Sequence, residues 1–264
     1  MRRLFALLPL VLVMLVGGQA QAFDSSAKQE RADMLRFAEH NSLFVLYHEV
    51  AHLLIDQLRL PVLGKEEDAA DNFATWVLLG EKTPHANQAL RSSVKGWLLS
   101  GIAYGSGQYE EDYYDGYSLD RERAMQILCL MVGSDGAAFR DMANEYAIPR
   151  GRQDTCRWDY DLIDRSYSAL LDEPGTGTRV VVRYHDAGFR LRKAERVLRA
   201  SGIFEQVAEH VRRGYRISRP VRFTAKRCDE ANAFYDADTV EIIFCYELMA
   251  DYMDLYKNDL AESR

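Results

Sequence analysis

The sequence predicts an α+β fold, mostly helical, with a small sheet built from the C-terminal third. Three observations carry this. Up to about position 171, apolar residues recur at the three- and four-residue spacing of amphipathic helices. The stretch Asp172-Glu-Pro-Gly-Thr-Gly-Thr178 then breaks the pattern as the clearest linker-like segment. Beyond it the chain turns to short β-branched and aromatic runs.

The first element is a leader. Arg2 and Arg3 precede an unbroken apolar run, Leu4 to Val16, and Ala20-Gln21-Ala22 forms a small-x-small cleavage signal. That order reads as a secretory signal peptide over residues 1–22. The run is shorter than the ~20 residues a membrane span needs, and no later stretch is long and apolar enough. Residues 23–264 are expected to form one domain, a helical lobe over 23–172 and an α+β lobe over 173–264. The helices expected are Ser42 to Leu58, with Asn41 or Ser42 as N-cap and Pro61 and Gly64 ending the segment, then Glu66 to Leu79, Leu90 to Tyr104, Asp120 to Met131 with Gly133 as a stop, and Gln153 to Leu171. Arg179 to Tyr184 reads as a strand, and Gly188 to Val211 as helix broken near Ser201-Gly202. Val221 to Ala225 is another strand. Asn232 to Asp236 and Val240 to Phe244 form a hairpin, and Tyr246 to Tyr256 a closing helix.

Charge and cysteines narrow the class. Two of the 33 basic residues lie in the leader, leaving 31 against 40 acidic ones, a net charge of −9. This argues against a nucleic-acid partner. Four cysteines in an exported chain suggest disulfides, and none forms a CxxC pair. A hairpin turning near Asp236-Ala237 would set Cys228 nearly opposite Cys245, which favours Cys129–Cys156 and Cys228–Cys245.

The chemistry is concentrated in His48-Glu49-Val50-Ala51-His52. Residues four apart share a helix face, so two imidazoles at that spacing can hold one zinc ion, with Glu49 rotated aside as a general base for water. A catalytic zinc needs a third protein ligand and an open position. Glu67 is the candidate third ligand, with Glu66 and Asp71 as competitors. Asp71, one turn after Glu67, suits an outer position, accepting an imidazole N–H. Ala70 and Ala74 are small enough to let this helix approach the first. The other histidines, His40, His85, His185 and His210, lack such spacing and read as surface or locally bonded residues. The acidic, tyrosine-rich stretch Tyr109 to Tyr117 reads as a solvated loop. Asn232 to Tyr235 fits either a cleft wall or a hairpin facing the core.

Glu67-x-x-Ala70-Asp71 downstream of HExxH resembles the glutamate-ligand zincin peptidases. More closely, Phe44 to Glu49 and Leu60 to Asp71 resemble an exported bacterial metallopeptidase family classed as a domain of unknown function. Ser118-Leu-Asp120 with Arg123, Cys129 with Gly133-Ser-Asp135, Pro149 with Cys156, and Asn232 to Asp236 with Cys245-Tyr-Glu247 extend the likeness over most of the chain. The resemblance implies zinc and a zincin-like fold. Where that pattern has a histidine before Ser-Leu-Asp, this chain has Tyr117, a candidate hydrogen-bond donor to an oxyanion. The sheet follows the metal helices here, so an edge strand aligning substrate would come from the C-terminal third. The expectation is a zinc-dependent hydrolase acting on a peptide or protein substrate in the periplasm or outside the cell. The alternatives are an exported interaction protein with a structural zinc, or an amidase acting on cell-wall amides.

Overall fold

The computed structural model describes residues 10–262 except 115, 172–174 and 176. The first nine residues of the expected leader, and most of the core of the expected linker, lie outside the described residues. The first helix, α1, runs unbroken from Leu10 to Leu58. The expected start at Asn41 or Ser42 is therefore corrected. Met34, Phe37 and Ala38 continue the buried stripe one and two turns earlier, and the Phe37 ring lies 5.4 Å from that of Tyr256. A helix keeps going where its apolar face still has something to cover.

α2 spans Glu66–Glu81 and opens on Glu66, Glu67 and Asp68, acids suited to the positive end of the helix dipole. α3 is Pro84–Tyr104, capped by the Thr83 side chain at the Ala86 N–H. It begins earlier than the apolar spacing suggested because Thr83-Pro84 is itself a start signal. A single 3₁₀ turn, Glu110–Tyr113, precedes α4, Asp120–Ser134. Gly133 does not end α4. A Cβ there would lie 2.2 Å from the Cys156 carbonyl oxygen, so the glycine lets α4 press on α6, Arg150–Leu170. Between them lies α5, Gly136–Glu145, unexpected from periodicity but capped by the Asp135 carboxylate at Ala137 and Ala138.

The sheet follows as expected from the β-branched runs. β1 is Val180–Tyr184, β2 Val221–Lys226, β3 Ala233–Asp236 and β4 Glu241–Cys245. Their order is β1-β2-β4-β3. The β1–β2 and β2–β4 pairs are parallel, and β3 pairs antiparallel to β4 with Tyr235 opposite Ile242. α7, Gly188–Ser201, and α8, Ile203–Gly214, make the crossover between β1 and β2. They break at Gly202, whose φ of 71° suits glycine. α9, Tyr246–Glu262, returns along α1. The fold is thus α+β, mostly helical, with a four-stranded mixed sheet late in the chain. The short strand β3 stands at the sheet edge beside α1.

Both disulfides pair as expected, Cys129–Cys156 and Cys228–Cys245. The route to the second differs. Asn232, not Cys228, faces Cys245 across the hairpin, its carbonyl accepting the Cys245 N–H. Cys228 reaches Cys245 from the other side, two residues after Lys226, the parallel partner of Cys245 on β2. Among the described residues no helix is long and apolar enough to cross a membrane.

Candidate active site

Helices α1 and α2 pack through the fully buried Ala70 and Ala74, and this close approach brings five polar side chains together. His48 Nδ1 lies 2.8 Å from Asp71 Oδ1, and His52 Nδ1 lies 2.8 Å from Glu66 Oε1. A carboxylate only accepts, so each Nδ1 donates to its partner; once an Nε2 proton is lost, that nitrogen is the one left to offer its lone pair to a metal. The two Nε2 atoms are 3.1 Å apart. Glu67 Oε2 is 3.1 Å from His48 Nε2, and Glu67 Oε1 is 3.6 Å from His52 Nε2. Donor atoms around a tetrahedral zinc with bonds near 2.05 Å stand about 3.3 Å apart. This triangle therefore fits a metal ion in size as well as in chemistry, and no fourth donor joins the group among the described residues.

The electrostatics agree. Two imidazole lone pairs aimed at each other need a cation between them. Without a metal, the surrounding carboxylates favour the protonated imidazoles. Burial alone would lower the His48 pKa, but hydrogen bonds to Asp71 and Glu67 outweigh it and lift the pKa to about 9. His52 is raised too, against its own burial, by its bonds to Glu67 and Glu66. Burial would raise Glu67, yet the two histidines hold its carboxyl far below the usual range. Asp71 is likewise held low despite burial, chiefly by Arg123. Arg123 grips it with Nε at 2.6 Å and Nη2 at 2.9 Å, and its guanidinium lies 3.6 Å from the Trp97 ring centre.

Glu49 lies beside this triangle without joining it. It is 5% exposed, and burial pushes its carboxyl up to about 7, eased by the neighbouring histidines and by the Tyr235 backbone N–H that donates to it. All of this opens into one cleft of about 780 Å³. The cleft follows α1 from Asn41 to Asp56, with β3 as a wall. Asn232 to Tyr235 thus lines the cleft. Tyr235 also ties β3 to α1 through its hydroxyl, which donates to Asp56 Oδ2 at 2.7 Å. Tyr117 sits at the cleft, half exposed, its ring 5.9 Å from the Arg123 guanidinium carbon and its carbonyl accepting from Lys65 at 2.6 Å. Elsewhere His40 pairs with Ser92 at 2.9 Å and His210 with the Tyr47 hydroxyl at 3.1 Å.

The structure brings the expected His48, His52, Glu67 and Asp71 together, whereas the grip of Arg123 on Asp71 and the presence of Asn41 and Asp251 in the cleft lining were not foreseen. Arg123 stood only among familial residues. Asn41 carried a signal misread as a helix cap, a small polar residue inside an apolar helical stripe. Asp251 carried none, being one acid among 40 acidic residues.

A family model described as "Putative metallopeptidase" (DUF4344) matches residues 11–171 and 185–264. No curated protein and no solved structure matches the chain.

Proposed function

The chain belongs to that metallopeptidase family, and from this premise we propose that it is a zinc-dependent peptidase that works outside the cytoplasm. One observation carries the reading: His48, His52 and Glu67 bring three donor atoms within 4.8 Å of one another in the lining of an open cleft, with Glu49 in the same lining. A zinc ion held there would supply Lewis acidity toward a substrate carbonyl and a water molecule. The chain's own residues do the rest. Asp71 and Glu66 hold the imidazoles in the tautomer that leaves both Nε2 atoms free. Glu49 accepts a proton from water at its carboxylate and hands it to the leaving nitrogen, a task suited to a carboxyl whose proton affinity lies near neutrality. The Tyr235 N–H keeps that carboxylate turned toward the cleft. Tyr117 lines the same cleft, which supports a role for its hydroxyl as donor to a developing oxyanion.

A purely structural zinc would be closed by a fourth protein ligand, whereas this triangle faces 780 Å³ of open cleft. Export is supported by the leader pattern and by two disulfides, which persist in oxidising compartments. The test combines metal analysis with substrate profiling of wild type and Glu49→Gln. The expected result is about one zinc per chain in both, with hydrolysis lower by roughly 10² or more in the variant. A zinc-loaded Glu49→Gln protein that cleaves at the wild-type rate would overturn the mechanism.

A further inference from the structure

We propose that the end of the cleft between α1, α3 and α9 is a subsite for a basic side chain, arginine or lysine, of a polypeptide substrate, recognised by the Asp251 carboxylate and by the Asn41 amide oxygen. The proposal rests on the peptidase reading and names the substrate class for it.

Asn41 is 4% exposed and lines the cleft. Its Nδ2 donates to the Phe37 carbonyl at 2.8 Å, which settles the orientation of the amide, because only the nitrogen can donate. The oxygen is thereby turned the other way, and among the described residues it accepts no hydrogen bond. Room for it exists only because residue 96 is glycine. A Cβ on Gly96 would stand 1.9 Å from that oxygen. Left without a protein donor in the lining of an open cleft, that oxygen is free to accept one from a ligand.

Asp251 is the second open acceptor. It lines the same cleft from α9 and accepts from the Tyr104 hydroxyl, but no cation pairs with it among the described residues. Burial, reinforced by Asp254, raises its carboxyl above the ordinary range, so a bound cation would relieve it. The remaining charge points the same way. The cleft is also lined by Glu49, Asp56, Glu66 and Glu67, against Arg123, whose bonds go to Asp71. An acidic concavity draws in cations and repels carboxylates. Val45, Leu248 and Leu255 line the same cleft and give the methylenes of a long side chain an apolar surface. A purely apolar side chain would leave both acceptors dry. A guanidinium brings five donors and an ammonium three.

The test is binding, read separately from cleavage. Glu49→Gln protein, supplied with zinc, is titrated with fluorescently labelled Ala-Ala-Arg-Ala-Ala and with the same peptide carrying citrulline, the uncharged isostere of arginine. The arginine peptide should bind about tenfold more tightly or better. Asp251→Asn should remove most of that preference while leaving zinc content unchanged. Equal affinity for the two peptides on the Glu49→Gln protein overturns the subsite, and so does weak binding of both. A preference that survives Asp251→Asn overturns the assignment of Asp251. The peptidase reading is tested apart from this, because wild-type protein that cleaves peptides without preference for basic residues would leave that reading standing and sink this one. Preferential binding without any cleavage would do the reverse.

Discussion

Asp71 joins the metal triangle to the helical core, and separating its two partners gives a sharp test. The Asp71–Arg123 pair is nearly sealed, with side chains 5% and 6% exposed. Removing one member of such a pair strands the other and costs roughly 3–5 kcal/mol. Both Asp71→Asn and Arg123→Met should therefore destabilise the chelated protein by about that amount, read as a shift in urea denaturation. Their effects on zinc should diverge. Asp71 is the acceptor for His48 Nδ1 at 2.8 Å, and weakening such an acceptor typically costs 10–100-fold in metal affinity, or about 1.4–2.7 kcal/mol. Arg123→Met leaves that bond in place and should cost less than about tenfold. A competition titration against a chromophoric chelator measures both. If Asp71→Asn binds zinc as tightly as wild type, Asp71 does not orient the ligand. Equal zinc losses in the two variants would point to general loosening of the helices instead.

Other outcomes follow from the same geometry. His48 is raised to about 9 in the folded metal-free protein, against about 6.5 when unfolded. Its proton stabilises the fold fully below about pH 6.5, and that contribution drains away as pH climbs toward 9, so the urea midpoint in chelator should fall across this window. A flat profile there would refute the protonated-imidazole account of the triangle. Replacing Cys228 and Cys245 with alanine frees a loop closed over 17 residues, worth roughly 3 kcal/mol on the chain-entropy scale; thermal unfolding should show that loss with zinc stoichiometry unchanged. Gly96→Ala forces a methyl to within 1.9 Å of the Asn41 oxygen and should cost about 1–3 kcal/mol by overpacking. Adding Asn41→Ser should recover part of it, and a single variant as stable as wild type would mean that α3 yields freely.

The metal triangle was legible because its geometry is local. The His48–His52 spacing is fixed by one helix, and Glu67 and Asp71 fall on one face of the next. Helix starts were legible where acidic residues open the first turn just before the onset of burial, as at Glu66 and Asp120, and illegible where a polar residue faces inward. Asn41 looks like a cap in sequence but sits mid-helix, because Phe37 and Tyr256 keep the earlier turns buried. Gly133 looks like a stop but serves the approach of α6, information held twenty-three residues away at Cys156. The hairpin register expected to join Cys228 to Cys245 does not join them, since the parallel pairing of β2 with β4 that does so has no signature in sequence. The far wall of the cleft was half legible: Asn232 to Tyr235 offered either a cleft wall or a hairpin facing the core, and the structure makes it the wall, whereas Asp251 meets α3 only through tertiary packing.

The donor triangle is drawn from residues 48 to 67, two consecutive helices, whereas the opposite wall of the cleft comes from residues 231 to 255. Loop closure over so long a stretch is slow compared with docking neighbouring helices. Two steps of assembly are thereby uncoupled. All three donors lie on α1 and α2, so a chain damaged late in its sequence is expected to keep the donor triangle yet lack a groove for substrate. Metal content would then report on the first part of the fold alone, and competence would be judged by what the groove will hold.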